Sequence, residues 1–179
     1  MSAVVSYPYA GVRSRTIAAV VATVAAVALP QILHVAGTVT GAGPAFAAMW
    51  LPMFLPVMLV GLLAGPLVAA LVGAVAPLLS LALTGMPALG MVPFVMVELV
   101  VAGVVAGLVS GRLHLAPGTV LTVFSAPVAL LVARYAVALF TGGLAGAGPA
   151  WWAQVSAGLP GILLQVVVIA LTLRVINRR

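Results

Sequence analysis

Residues 50–109 read WLPMFLPVMLVGLLAGPLVAALVGAVAPLLSLALTGMPALGMVPFVMVELVVAGVVAGLV. The stretch is apolar over enough length for three membrane-crossing helices, because one crossing of the hydrocarbon core takes roughly 20 apolar residues. Glycines and prolines interrupt it, and a single charged residue, Glu98, lies inside it. Glu98 is also the only acidic side chain of the protein. The stretch therefore predicts membrane helices that surround one carboxyl group.

The composition of the whole chain indicates that lipid is its solvent. Of the 179 residues, 65% are hydrophobic and 4% are charged, which is more apolar surface than a soluble domain of this size can bury. We expect helices rather than a barrel, because a barrel needs alternating polar residues along each strand and each helix satisfies its own backbone hydrogen bonds. The chain has no cysteine, so disulfides and thiolate metal ligands are excluded. The predicted fold class is an all-α integral membrane bundle.

Six helices are predicted within a single membrane domain over residues 1–179. They cover residues 17–34, 48–64, 67–83, 91–109, 119–140 and 151–175. The Gly-rich segments 35–47, 84–90 and 141–150 are predicted to be loops. The second helix is expected to break or bend at Pro52 and Pro56, because proline removes a backbone donor and crowds the preceding turn.

The first apolar run has an alternative interpretation as a cleaved signal peptide. Arg13 and Arg15 precede the run, and Ala45-Phe46-Ala47 resembles a cleavage site. We disfavour this interpretation because the apolar run ends near Leu33, too far before that site.

The arginines predict the orientation of the bundle. Six crossings put both termini on one side, and the positive-inside rule assigns that side to the cytoplasm. The arginines expected on this side are Arg13, Arg15, Arg112, Arg174, Arg178 and Arg179. These arginines are scattered singly or in pairs at helix ends, and the chain has no lysine, so the net charge of +6 predicts topology signals and not nucleic-acid binding. Trp50 and Trp151 then fall near the outer interface, which indole rings favour.

Glu98 and Arg134 are the charges expected inside the membrane. Glu98 lies roughly 10 Å from the outer end of its predicted helix at about 1.5 Å per residue, and Arg134 reaches a similar depth on the next helix. Each charge alone would cost about 2.5–3.5 kcal/mol at the bilayer centre. We therefore expect the two side chains to pair. The pair either lines a cavity open to the outside or only fixes the packing of the two helices.

Four further residues are candidates for binding a solute. His34 and Gln165 could hydrogen-bond a polar ligand, although His34 could instead face headgroups and Gln165 could bond to a neighbouring helix. Met91 could belong to an adaptable apolar wall or equally to the ordinary core, and Trp50 lies at the predicted outer interface.

Small residues recur at four-residue spacing on two predicted helices. Ala18, Ala22 and Ala26 share one face of the first helix, which could pack internally or dock a partner subunit. Gly103, Gly107 and Gly111 share one face of the fourth helix, and we expect that face to pack within the bundle.

Enzyme chemistry is not predicted. The chain has no second carboxylate for acid–base pairing or a metal centre, and no phosphate-binding loop followed by lysine. We expect no cofactor and no metal. Without an ATP site, active transport would take its energy from a partner protein or an ion gradient.

The middle of the chain resembles the substrate-binding (S) components of energy-coupling factor (ECF) vitamin transporters. The resemblance rests on LPVMLVGLLAGPLVAALVGAVAPLLSLALTGMP at residues 55–87 and MVELVVAGVVAGL at residues 96–108. It covers about a third of the chain directly. The order of a proline-bearing helix, a Gly-Pro turn, a TGMP loop and a Met-x-Glu-Leu helix carries it.

The resemblance implies a receptor in a bacterial plasma membrane that binds a vitamin or precursor in the outer half of the bundle. The branch it most resembles includes carriers of riboflavin, pantothenate, cobalamin and pyrimidine precursors. It implies a transmembrane coupling subunit and two ATPase subunits as partners, with Ala18, Ala22 and Ala26 facing the coupling subunit. Two other classes stay open: a structural subunit of a membrane complex, and an autonomous ion-coupled carrier.

Overall fold

A computed structural model describes residues 7–9, 11–43, 45–110, 112–113 and 115–178. Two residues used in the sequence analysis, Gly111 and Arg179, lie outside this part of the chain. The described residues form helices and connecting turns, with no strand among them. The predicted all-helical fold class is therefore confirmed.

The described chain contains eight α-helices. They are α1 (Val12–Val39), α2 (Ala45–Trp50), α3 (Phe54–Ala64), α4 (Pro66–Thr84), α5 (Val92–Val109), α6 (Leu115–Thr141), α7 (Leu144–Ala157) and α8 (Leu159–Ile176). A short 3₁₀ turn, Leu89–Met91, leads into α5. Six segments are long and apolar enough to cross a membrane: α1, α2 with α3, α4, the 3₁₀ turn with α5, α6, and α8. The predicted number of crossings agrees with this result.

The second crossing is interrupted between α2 and α3. The helix stops at Trp50 and resumes at Phe54, so the predicted break lies at Pro52. Pro56 does not break the chain, because it lies in the first turn of α3, where a missing backbone N–H is tolerated. Leu51, inside the break, has a left-handed backbone with φ of 47°.

The predicted loop over residues 141–150 and the single helix over 151–175 are wrong. Helix α7 begins at Leu144 and ends at Ala157, and α8 begins separately at Leu159. The start of α7 contains alanine as well as glycine, and the high helix propensity of alanine allows this segment to be helical. Pro160 prevents α7 from continuing into α8, because proline lacks the backbone N–H that a continuous helix needs. Helix α7 lies along α6, where the Trp151 indole Nε1 donates to the Pro127 carbonyl oxygen at 2.7 Å.

The first and last described residues lie at the same end of the bundle. Four hydrogen bonds tie the start of the described chain, the ends of α3 and α5, and the end of the described chain together. They run from Tyr7 to Gly107, Tyr9 to Leu63, Ser110 to Leu62 and Asn177 to Leu113. The arginines in the first turn of α1, just after α5 and at the end of α8 belong to this end, which we call the arginine end. The described arginines there are Arg13, Arg15, Arg112, Arg174 and Arg178.

Glycines allow α3, α4 and α5 to pack backbone against backbone. A Cβ atom added to Gly107 would overlap Pro66, and one added to Gly73 would lie 2.9 Å from the backbone of Leu99. A Cβ on Gly103 would lie 2.8 Å from Ala69. The prediction that Gly103 and Gly107 pack within the bundle is confirmed.

The alanine face of α1 packs against the bundle over part of its length. Ala26 is fully buried and Ala22 is 7% exposed, both within the apolar core, whereas Ala18 is half-buried. Their small side chains bring α1 against α3 and α4. Ala22 and Ala26 are therefore buried, while Ala18 and Ala22 also border an open groove between α1 and α3, and the docking of a coupling subunit on this face stays a prediction.

Replacing Gly73 tests the close contact between α4 and α5. We expect Gly73→Ala to destabilise the protein by about 1–3 kcal/mol, because its Cβ must displace backbone atoms. Gly146→Ala is the matched control, because no atom lies within 4 Å of a Cβ there and alanine favours a helix. Thermal unfolding in detergent, followed by tryptophan fluorescence, compares the variants. Equal midpoints for the two variants would contradict this packing.

Candidate functional site

A cavity of about 280 Å³ lies at the end of the bundle opposite the arginine end. Its walls come from the last turns of α1, from α2 and the α2–α3 break, and from α4, α5 and α7. At this end the Gln31 Nε2 atom donates to the Thr84 Oγ1 atom at 3.1 Å, which links α1 to α4. The break at Pro52 places non-helical backbone beside the cavity.

A smaller cavity of about 20 Å³ adjoins the first on the core side. The two cavities share Leu51, Phe54, Glu98 and Gln154 as lining residues. The small cavity is bounded further by core residues of α6 and by Gln165 of α8. Its volume is close to that of one water molecule or one small substituent. Together the cavities form one site that narrows toward Gln165.

Glu98 is the charged residue at the junction of the two cavities. It is 4% exposed and lies on α5 among buried apolar neighbours. No group in the described part of the chain donates a hydrogen bond to its carboxyl group. Glu98 lines both cavities, so a molecule that fills the site lies against this residue.

Arg134 does not form the predicted ion pair with Glu98. Its Nη2 atom donates to the Gln154 Oε1 atom at 2.7 Å, and its guanidinium carbon lies 5.4 Å from the centroid of the Phe94 ring. Phe94 precedes Glu98 by one helical turn and therefore shares its face of α5. Arg134 is close enough for its charge to act on Glu98, but no salt bridge joins them among the described residues.

The contact with Arg134 fixes the orientation of the Gln154 amide. Arginine has only donors, so the amide oxygen of Gln154 must face it and the NH₂ group must point away. Gln154 lines both cavities, and its NH₂ group makes no hydrogen bond within the described chain. The Arg134–Gln154 contact therefore presents an amide donor near Glu98.

Two buried polar side chains of the site have atoms without partners. Ser80 lines the large cavity and Gln165 the small one, and they are 0% and 2% exposed. The Ser80 Oγ atom and the Gln165 Nε2 atom have no hydrogen-bond partner. A buried unsatisfied polar group costs about 1–3 kcal/mol, so each would gain from a polar molecule bound beside it.

The structure brings together only some of the predicted site residues. Glu98, His34 and Gln165 line the two cavities, with His34 half-buried in the wall of the larger one. Trp50 packs its ring against Phe46 at 6.2 Å between centroids and lines neither cavity. Met91 ends the 3₁₀ turn and also lines neither.

Sequence reasoning missed Ser80, Gln31 and Gln154. The signal for the two glutamines was their rarity, because Gln31, Gln154 and Gln165 are the only glutamines of the chain. All three line the site. No cluster of three or more metal-binding side chains occurs among the described residues.

Comparison with protein-family models, curated proteins and solved structures finds no match for this chain. The resemblance to ECF S components therefore stays a prediction.

A double-mutant cycle on Arg134→Met and Gln154→Leu tests the observed contact. We expect a coupling energy of about 1.5–3 kcal/mol, the range for a hydrogen bond to a charged group. The coupling should persist in a Glu98→Gln background, because Glu98 takes no part in the bond. The free energy of unfolding is measured by titration with SDS in mixed micelles. If the coupling energy disappears in the Glu98→Gln background, the result would support the predicted Glu98–Arg134 pair instead.

Proposed function

We propose that this protein is the solute-binding membrane subunit of a bacterial importer, and that the two cavities around Glu98 hold the solute. The observation that carries the proposal is the concentration of polar groups in one place. A chain with 4% charged residues has its only acidic side chain, all three glutamines and two of the five unpartnered buried polar atoms of the described residues in the walls of one site.

A purely structural role explains this concentration less well. Polar groups that only fix helix packing are expected to bond to one another, since a buried group without a partner costs free energy. Ser80 and Gln165 are buried without such bonds, and Glu98 receives none within the described chain. A bound solute supplies the missing partners, and intramembrane ionisable residues are functional by default.

The position of the site favours capture of a solute from outside the cell. The cavities lie at the end of the bundle away from the flanking arginines. Under the positive-inside rule the arginine end, with both termini, belongs in the cytoplasm. The site then opens toward the outer side of the plasma membrane.

Helix α2 is the element that we propose to move when a solute enters. It has six residues, forms part of the cavity wall and is separated from α3 by the break at Pro52. It rests on α8, where Gly161 leaves room for the backbone of Trp50, and on α1, where Gly37 leaves room for Phe46. Because α2 is short and rests on its neighbours at these two glycines, its contacts can break while the rest of the bundle stays folded.

The energy for import is proposed to come from partner subunits. The sequence has no phosphate-binding loop of its own, and its middle resembles ECF S components. We therefore propose a transmembrane coupling subunit and two ATPase subunits as partners, and a vitamin or vitamin precursor as the solute.

The proposal is tested by blocking the cavity from α2. Ala48 lines the cavity and Ala45 does not, although both are exposed on the same short helix. Native mass spectrometry of the protein released from membranes should reveal a bound small molecule in the wild type and in Ala45→Phe. The molecule should be lost from Ala48→Phe, because the ring would occupy the cavity.

Retention of the same molecule by Ala48→Phe would move the binding site elsewhere. Absence of any bound molecule from the wild type, even after growth in rich medium, would favour the alternative of a structural subunit.

A further inference from the structure

We propose, on the basis of the function proposed above, that the solute is a small organic cation whose protonated amine or amidinium group pairs with Glu98. The proposal rests on the charges that line the site, on the state of Arg134 and on the arrangement of the amide donors around the carboxyl group.

The walls of the site contain one acidic side chain, that of Glu98, which carries a negative charge when it is ionised. Among the residues that line the two cavities, Glu98 is the sole acidic or basic side chain apart from His34. Its carboxyl group receives no hydrogen bond from the described chain. A buried charge without a partner is strongly unfavourable, so a positive group on the solute would stabilise both itself and Glu98.

Arg134 lies outside the two cavities, although its buried Nε atom has no hydrogen-bond partner. Its Nη2 atom is committed to Gln154 and its guanidinium plane to Phe94, and it lines neither cavity. A carboxylate or phosphate in the site would therefore meet Glu98 before it met Arg134. The sequence alone favoured Arg134 as an anion ligand, and the observed contacts reverse that preference.

Amide groups next to Glu98 define a second feature of the solute. Gln154 turns its NH₂ group away from Arg134, and the Gln165 Nε2 atom has no partner. Both residues line the small cavity together with Glu98. The complementary solute carries its positive N–H donors beside a hydrogen-bond acceptor that points toward the narrow part of the site.

The remaining walls limit the size and polarity of the solute. The larger cavity of about 280 Å³ lies near the lower limit for ligand pockets, and residues such as Leu51, Phe54 and Val95 make most of its surface apolar. A compound with one ring and one cationic group fits these walls, whereas a large polar molecule does not.

Three probes of one shape test the sign of the charge: benzamidine is a cation, benzamide is neutral and benzoate is an anion. Their affinities are measured by isothermal titration calorimetry on the full chain in nanodiscs, after removal of any co-purified solute. We expect benzamidine to bind at least about tenfold more tightly than benzamide, and benzoate not to bind.

The Glu98→Gln variant should lose about 10- to 100-fold in affinity for benzamidine and none for benzamide. Arg112→Gln, which removes an exposed charge at the arginine end, should bind all three probes as the wild type does. If Glu98→Gln fails to fold, the order of the three probes on the wild type decides the question alone.

Tighter binding of benzoate than of benzamidine, equal binding of all three, or binding of none would overturn the cation site. The proposed function is decided separately, by the molecule that co-purifies with the wild type. An anionic or neutral molecule lost from Ala48→Phe would reject the cationic solute and keep the receptor function. If no molecule is found and no probe binds, both proposals fail.

Discussion

The burial of one carboxyl group in an apolar bundle is the constraint on which the rest of the structure depends. Glu98 is 4% exposed, and no donor in the described chain reaches it. A chain dominated by apolar residues has few polar groups that can surround this carboxyl group. Several of them line the cavities next to Glu98. The break at Pro52 brings non-helical backbone to the cavity, α7 contributes Gln154, and α8 contributes Gln165.

The two ends of the bundle differ in how closely their helices pack. Toward the arginine end, glycines bring α3, α4 and α5 into backbone contact, and hydrogen bonds such as that of Ser110 to Leu62 join the helix ends. At the opposite end the helices separate around the two cavities, and polar atoms are left without partners. Close helix packing beneath a polar, incompletely satisfied site suits the proposed receptor, in which the site would close over a solute.

The parts of the structure that follow from local sequence were predictable, and those that depend on how the helices pack against one another were not. Hydropathy indicated six crossings, and hydrogen-bonding or charged side chains on apolar helices singled out Glu98, His34 and Gln165, which line one site. The partner of Arg134 was missed because depth along a helix does not reveal its direction around the helix, and because α7 was predicted in part as a loop. The direction of the alanine face of α1 was ambiguous for the same reason, since small residues suit internal and external contacts equally well.

Chemical labelling of Glu98 tests the central claim, that the cavity around this residue binds the solute. Dicyclohexylcarbodiimide, an apolar reagent, adds to carboxyl groups, and Glu98 is the only acidic side chain of the protein. Intact-mass spectrometry counts the adducts, and Glu98→Gln corrects for reaction at the C-terminal carboxyl group. We predict that protein freed of its co-purified solute gains one adduct at Glu98 and that returning the solute slows this labelling at least about tenfold, because the solute covers the carboxyl group. Equal labelling rates with and without bound solute would contradict the account.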